Sequence, residues 1–117
     1  MENPWPNFVR FASAFAGVKY EWDPKKNQAN IRRHGVSFET ATLVFDDPNV
    51  IYRVDVKHSD LEARDIAIGV AGESGILFVV NTIRGDEEHE IIRIISARPA
   101  TKVERREYAR ANRAAKA

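Results

Sequence analysis

Arg64, Arg84 and Arg93 stand in three strand-forming runs, "RDIAIGVAG", "ILFVVNTIR" and "IIRIISAR", which sheet geometry can bring together. Side chains alternate between faces along a strand, and cross-strand partners share a face. If the "GESG" turn pairs Gly72 with Ile76, then Ile68 opposes Val80, Ile66 opposes Thr82 and Arg64 opposes Arg84. If the next hairpin pairs Arg84 with Ile91, Arg93 falls opposite Thr82. The three guanidiniums then lie on one face at one end of a sheet, with Glu62 on the parity of Arg64. A slip of one residue in either hairpin breaks this convergence. Opposed like charges destabilise a sheet, so the cluster calls for an anion, and phosphate matches the guanidinium fork. The competing reading leaves these strand ends solvated, or neutralises the arginines with Glu62 and Asp86. Arg93 is flanked by isoleucines, where a charge is costly to bury alone; an open position at the end of the apolar row would explain it.

Other reactive residue types add less. His58, in the loop before Glu62, is a candidate for the arginine face. His34 ends a helical segment, where an imidazolium meets the helix dipole favourably and a capping or packing role suffices. His89 falls in the turn "GDEEHE". No histidine or carboxylate group has metal-ligand spacing and no glycine-rich nucleotide loop is present, so neither a metal nor a cofactor is expected. The absence of cysteine excludes disulfides and thiolate metal sites and suits a reducing cytoplasm.

The elements that must position these residues are legible along the chain. At 117 residues, 44% apolar and 30% charged, the chain is one soluble globular domain with a single core, and no apolar run approaches a membrane span. Net charge is +1, but seven Lys and Arg face only Glu104 and Glu107 from Arg98 onward, a local +5, so the rest is acidic. Residues 1–17 read as a weakly amphipathic N-terminal extension ended by Gly17, either an accessory helix or an artefact of start-codon choice, and the functional domain spans 18–117. Lys19 to Trp22 make a short strand. Asp23 is a good N-cap, Pro24 fits the first helical position, and Gly35 stops the helix after His34. Ser37 caps a second short helix that turns Ala41, Val44 and Phe45 inward, and "DDP" ends it. Residues 49–98 alternate as a four-stranded meander, with Ile68, Val80 and Ile95 in one apolar row. Thr101 and Glu104 form a capping box for a final basic helix. The order is β-α-α-β-β-β-β-α, an α+β fold with a single antiparallel sheet flanked by helices. On this alternation Arg98 lies on the sheet face opposite Arg93 and anchors the last helix. Lys102, Arg105 and Arg106 can track a phosphate backbone or serve as a docking face, and Tyr108 suits packing better than base stacking.

Three blocks, "YEWDPKKNQANIRRHGVSFETATLVFDDP", "HSDLEARDIAIG" and "TIRGDEEHEIIRIISARPATKVERREY", resemble the signature blocks of the BrnT toxins over about residues 18 to 108. "RRHGVSF" and "RIISARPAT" are the most specific pieces. The resemblance implies a RelE-like fold and a cytoplasmic ribonuclease toxin of a type II toxin–antitoxin system that arrests translation. It also implies a BrnA-like antitoxin partner with a ribbon-helix-helix-like fold, and operator DNA bound only through that complex. The implied chemistry is metal-independent attack of a ribose 2′-hydroxyl on the adjacent phosphate. Arg64, Arg84 and Arg93 would stabilise charge, with Glu62 as candidate base or as a surface partner of Arg64. Arg98, Lys102, Arg105 and Arg106 would hold RNA. A non-catalytic antitoxin-binding co-repressor is the alternative, and it would bury the arginine face under "GDEEHE". The 17-residue lead-in and that long acidic turn depart from the family pattern.

Overall fold

The computed structural model describes residues 9–12, 18–55, 64–85 and 90–116. Helix α1 (Pro24–His34) begins where the Asp23 carboxylate accepts from the Lys25 amide at 2.9 Å. It ends at Gly35, whose φ of 70° places it in the left-handed region while its amide donates to Ile31. Both ends are therefore set by residues whose intrinsic preferences match. Ser37 caps α2 (Phe38–Ala41) by accepting from the Thr40 amide, and a 3-10 turn over Thr42–Asp46 follows directly.

Strands β1 (Val9–Ala12), β2 (Lys19–Trp22), β3 (Ile51–Val54), β4 (Asp65–Val70), β5 (Ile76–Arg84) and β6 (Ile91–Pro99) form one sheet in the order β1-β2-β6-β5-β4-β3. From β2 onward the element order is the expected one, closed by α3 (Lys102–Lys116). The lead-in differs from expectation. Its residues 9–12 are a strand paired antiparallel to β2, with Arg10 opposite Glu21; a free edge supplies more backbone partners than an isolated short helix would. The pairing of β2 with β6 is parallel, so the sheet is mixed at this one seam. The long connection through α1, α2 and the meander makes that possible.

One sheet face carries the core. Tyr20, Trp22, Ala67, Leu77, Val79, Ile92, Ile94 and Ala97 pack there beneath Val36, Phe38, Ala41 and Val44. Trp22 meets Phe38 edge to face with centroids 6.1 Å apart, and burial of each such ring contributes about 1.5–3 kcal/mol. Gly69 lets the 3-10 turn lie close on β4, since a Cβ would come within 3.1 Å of the Val44 carbonyl. Beyond the short β2, Asn30 of α1 takes over the edge of β6: its amide donates to the Ala97 carbonyl at 2.7 Å and accepts from the Ala97 amide at 3.2 Å.

The opposite face carries α3. Its capping box forms as expected, with the Thr101 amide 2.8 Å from Glu104 and the Glu104 amide 3.2 Å from the Thr101 hydroxyl. The helix crosses from β6 towards β3 on polar contacts: Glu104 with Arg98, Glu107 with Arg53, Tyr108 with Asp47, and Asn112 with the Asn49 carbonyl. Beneath it Ile68 is fully buried. Among the described residues no helix is long and apolar enough to cross a membrane.

Candidate active site

Two registers decide where the arginines fall. The β5–β6 hairpin pairs Arg84 with Ile91 and Thr82 with Arg93, as the sequence suggests. The β4–β5 hairpin pairs Val70 with Ile76 and Ile68 with Phe78, two residues away from the expected register. The loop is larger than assumed: a 3-10 turn over Gly72–Ser74 sits inside an Ala71–Gly75 hydrogen bond. A shift of two preserves parity, so Arg64, Arg84 and Arg93 still share a face at one end of the sheet, and Ile68, Val80 and Arg93 remain on one side.

The register also aligns a row across the whole sheet. Arg10 lies opposite Glu21, Glu21 beside Arg93, and Arg93 opposite Thr82. Arg64, the residue just before β4, follows next: β4 begins with Asp65 opposite Asn81, and the Arg64 carbonyl accepts from the Asp55 amide at 2.8 Å. Acidic and basic positions thus bracket Thr82 along a transverse line. Within it Glu21 is 0% exposed and Arg93 2%. Arg93 Nε donates to Glu21 Oε1 at 2.9 Å. Arg93 is therefore not at an open end of the apolar row: a carboxylate on the parallel neighbour strand supplies the partner that burial demands. Arg84, one row further out, places Nη1 3.7 Å from the same Glu21 oxygen and keeps its side chain 33% exposed. Arg64 is half-buried. Sequence reasoning missed Glu21 because only a parallel pairing across 72 residues brings it to Arg93; its parity within "KYEW" was the available signal.

Glu62 and His58, as well as His89 and Asp86, lie outside the described residues. His34 closes α1. Among the described residues no group of three or more His, Cys, Asp or Glu could hold a metal ion.

The basic helix divides by role. A bulge shifts the β5–β6 register between Val80 and Asn81, so that Val80 pairs with Ser96 and Asn81 with Ile94. Ile95 is the extra residue. Arg98 consequently opposes Phe78 and returns to the face of Arg93, contrary to simple alternation. It does anchor the last helix, through a two-pronged contact to Glu104 at 2.7 and 2.9 Å, while its guanidinium lies 3.9 Å from the Phe78 ring centre. Arg105 donates to the Ala100 carbonyl at 3.0 Å. Lys102, Arg105, Arg106, Arg110 and Arg113 are exposed. Tyr108 packs half-buried and donates its hydroxyl to Asp47 Oδ2 at 2.7 Å, which together with burial pushes its pKa up to about 12, burial being the larger cause.

A second feature lies on the core face at this end of the sheet. Val18, Tyr20, Phe45, Asp46, Tyr52, Glu90 and Ile92 line a cavity of about 390 Å³. Burial, and the neighbouring acids after it, raise the Tyr20 pKa above its ordinary value. Tyr52 is raised for the same two reasons, burial first and then Glu90.

No curated protein matches the chain. The crystal structure of the Brucella abortus ribonuclease toxin BrnT aligns with a TM-score of 0.46 at 25% identity, covering 69% of this chain and 94% of that one. The family model of the ribonuclease toxin BrnT, of type II toxin–antitoxin systems, matches residues 22–104, from the buried Trp22 of β2 to the Glu104 of the capping box, and the chain belongs to that family.

Proposed function

We propose that this chain is a ribonuclease toxin that cleaves RNA without a metal, arrests translation in the cytoplasm and is neutralised by a BrnA-like antitoxin of ribbon-helix-helix-like fold. The antitoxin complex, rather than the toxin alone, engages operator DNA. One observation carries the reading: Arg84 presents a third of its side chain to solvent beside Arg93 and Arg64 on one sheet face. Guanidiniums so grouped suit a pentacoordinate phosphate, whose extra negative charge appears as the reaction proceeds. In that reaction the 2′-oxygen bonds to phosphorus and the 5′-oxygen leaves, giving a 2′,3′-cyclic phosphate. A base takes the 2′ proton and an acid returns one to the 5′-oxygen. Arg84 and Arg64 face the substrate in this reading, and Arg93 is the buried charge behind them. Glu62 and His58 are the candidates for proton transfer. Lys102, Arg105 and Arg106 hold the flanking backbone, whereas Arg98 contributes by holding α3.

The burial of Arg93 against Glu21 favours a second reading, a co-repressor module without chemistry. Expression with and without the antitoxin, followed by growth and RNA integrity, separates them. The toxin reading expects arrest and RNA cleavage only when the antitoxin is absent. With purified protein, Arg84→Ala should lower cleavage about 10²–10³-fold, the scale of losing one transition-state stabiliser. Intact RNA under unneutralised expression of a folded wild-type chain would leave only the co-repressor.

A further inference from the structure

Among the described side chains, Glu21 is a buried carboxylate that holds two cations, Arg93 and Arg84, in different ways. Its Oε1 accepts from Arg93 Nε at 2.9 Å, within hydrogen-bond range, and stands 3.7 Å from Arg84 Nη1, an ion-pair distance too long for a hydrogen bond. Its Oε2 is buried and makes no hydrogen bond among the described residues. One arginine is therefore fixed in the sheet, and the other is drawn inward by charge while a third of its side chain stays in water. We infer that Glu21 is a positioning residue that locks Arg93 into the sheet and competes with the substrate phosphate for Arg84. The inference rests on the ribonuclease reading for the identity of the anion.

The physical basis is that a carboxylate and a phosphate are rival anions for one guanidinium fork. Without an anion, Arg84 leans on Glu21, which offsets the repulsion among three neighbouring guanidiniums. When RNA arrives, its phosphate takes the two-pronged contact that the 3.7 Å geometry leaves unmade, and Glu21 keeps Arg93. Glu21 thereby sets the strength of RNA binding without touching RNA.

The test uses the full chain and an RNA oligonucleotide made uncleavable by 2′-deoxy substitution, with binding read by fluorescence anisotropy at fixed salt. Glu21→Gln should tighten binding about two- to five-fold, the scale of a partly solvent-screened ion pair. Adding Arg84→Ala should abolish the tightening. Glu21→Gln leaves Arg93 buried beside a neutral amide and can unfold the protein. Glu21→Gln combined with Arg93→Met removes the buried pair as a unit, a change often neutral for stability, and should bind more tightly than Arg93→Met alone. Unchanged or weaker binding in the folded Glu21 variants, or tightening that persists without Arg84, overturns the role given to Glu21. Wild-type cleavage of ordinary RNA is measured in parallel: its absence sinks the ribonuclease reading, while the binding cycle still decides whether Glu21 competes for Arg84.

Discussion

Asn30, on a helix, completes the backbone ladder of Ala97, on a strand. Its amide nitrogen donates to both the Ala97 and Val36 carbonyls, at 2.7 and 2.9 Å, and its oxygen accepts from the Ala97 amide. One side chain thus does the work of a missing strand neighbour and ties the segment after α1 to β6. Asn30→Leu, of similar size but without these bonds, orphans three backbone groups. It should destabilise the protein by several kcal/mol, at about 1–3 kcal/mol per orphaned group. Asn30→Asp should also be destabilising, because an ionised carboxylate cannot donate. Urea unfolding followed by tryptophan fluorescence measures both.

Arg93→Ala leaves Glu21 buried without its hydrogen-bonded cation. The expected cost is about 3–5 kcal/mol, the range for breaking a buried ion pair from one side, with cleavage falling alongside thermal stability. Arg93→Lys should recover part of the stability, since an ammonium keeps the charge but not the fork. An Arg93→Ala protein with unchanged melting temperature would show that Glu21 is satisfied otherwise.

Ile68 is fully buried between the sheet and α3. Ile68→Ala should cost about 2–5 kcal/mol. Val80, half-buried on the same side, and Ile95, the half-buried bulge residue that lines a cavity with Ala29 and Asn30 of α1, should each cost less when truncated. Equal effects at all three positions would mean that α3 does not shield Ile68.

Acid should loosen α3 before the sheet. Burial works to raise the Asp47 pKa, but hydrogen bonds from the Val70 amide, Tyr108 and the Asn49 amide outweigh it, and the net shift is below 3.8. The Arg98 fork, against burial and with help from Thr101, likewise holds Glu104 below 4.5. For a depressed carboxylate the stabilisation is complete above the unfolded pKa and disappears as pH falls through the folded one. Circular dichroism from neutral pH to about pH 2 should show helix loss that precedes sheet loss. Glu104→Gln should weaken α3 at neutral pH and flatten its acid response.

Tyr108 titrates in the other direction. Its pKa is raised from 10.0 to about 12, by burial first and then by Asp47. The stabilisation it gives is therefore present below pH 10.0 and lost as pH rises through about 12. Tyr108→Phe should lose about 1.5–3 kcal/mol at neutral pH, the range for a hydrogen bond to a charged group. It should also remove the part of alkaline destabilisation that belongs to this residue, as thermal melts across that range will show.

Much of this architecture is written in local signals. Asp23, Pro24 and Gly35 bound α1, Ser37 starts α2, and Thr101 with Glu104 starts α3, because each acts on backbone groups within four residues of itself. The arginine face is legible too, since parity survives the two-residue shift at Ala71–Gly75. The parallel seam that delivers Glu21 to Arg93 is not, because no local pattern encodes which distant strand lies alongside. Asn30 reads as an ordinary polar helix residue until β6 is placed against it. The lead-in "VRFA" reads as helix until the edge of β2 offers it a partner.

The bulge at Ile95 makes this end of the chain sensitive to length. Upstream of it, odd and even positions of β6 serve one assignment of faces; downstream they serve the other, and only so do Arg93 and Arg98 look the same way. Losing the one codon for Ile95 would restore plain alternation, leave Arg93 and Arg98 four residues apart on the same face, and keep α3 on its own side. Losing Ile95 and one further residue would leave them three apart with no bulge, and would deliver α3 to the side already occupied by Phe38 and Val44. Across relatives this segment should therefore tolerate loss of the bulge residue alone, whereas deleting Ile95 together with one neighbour should act like the loss of the whole C-terminal helix.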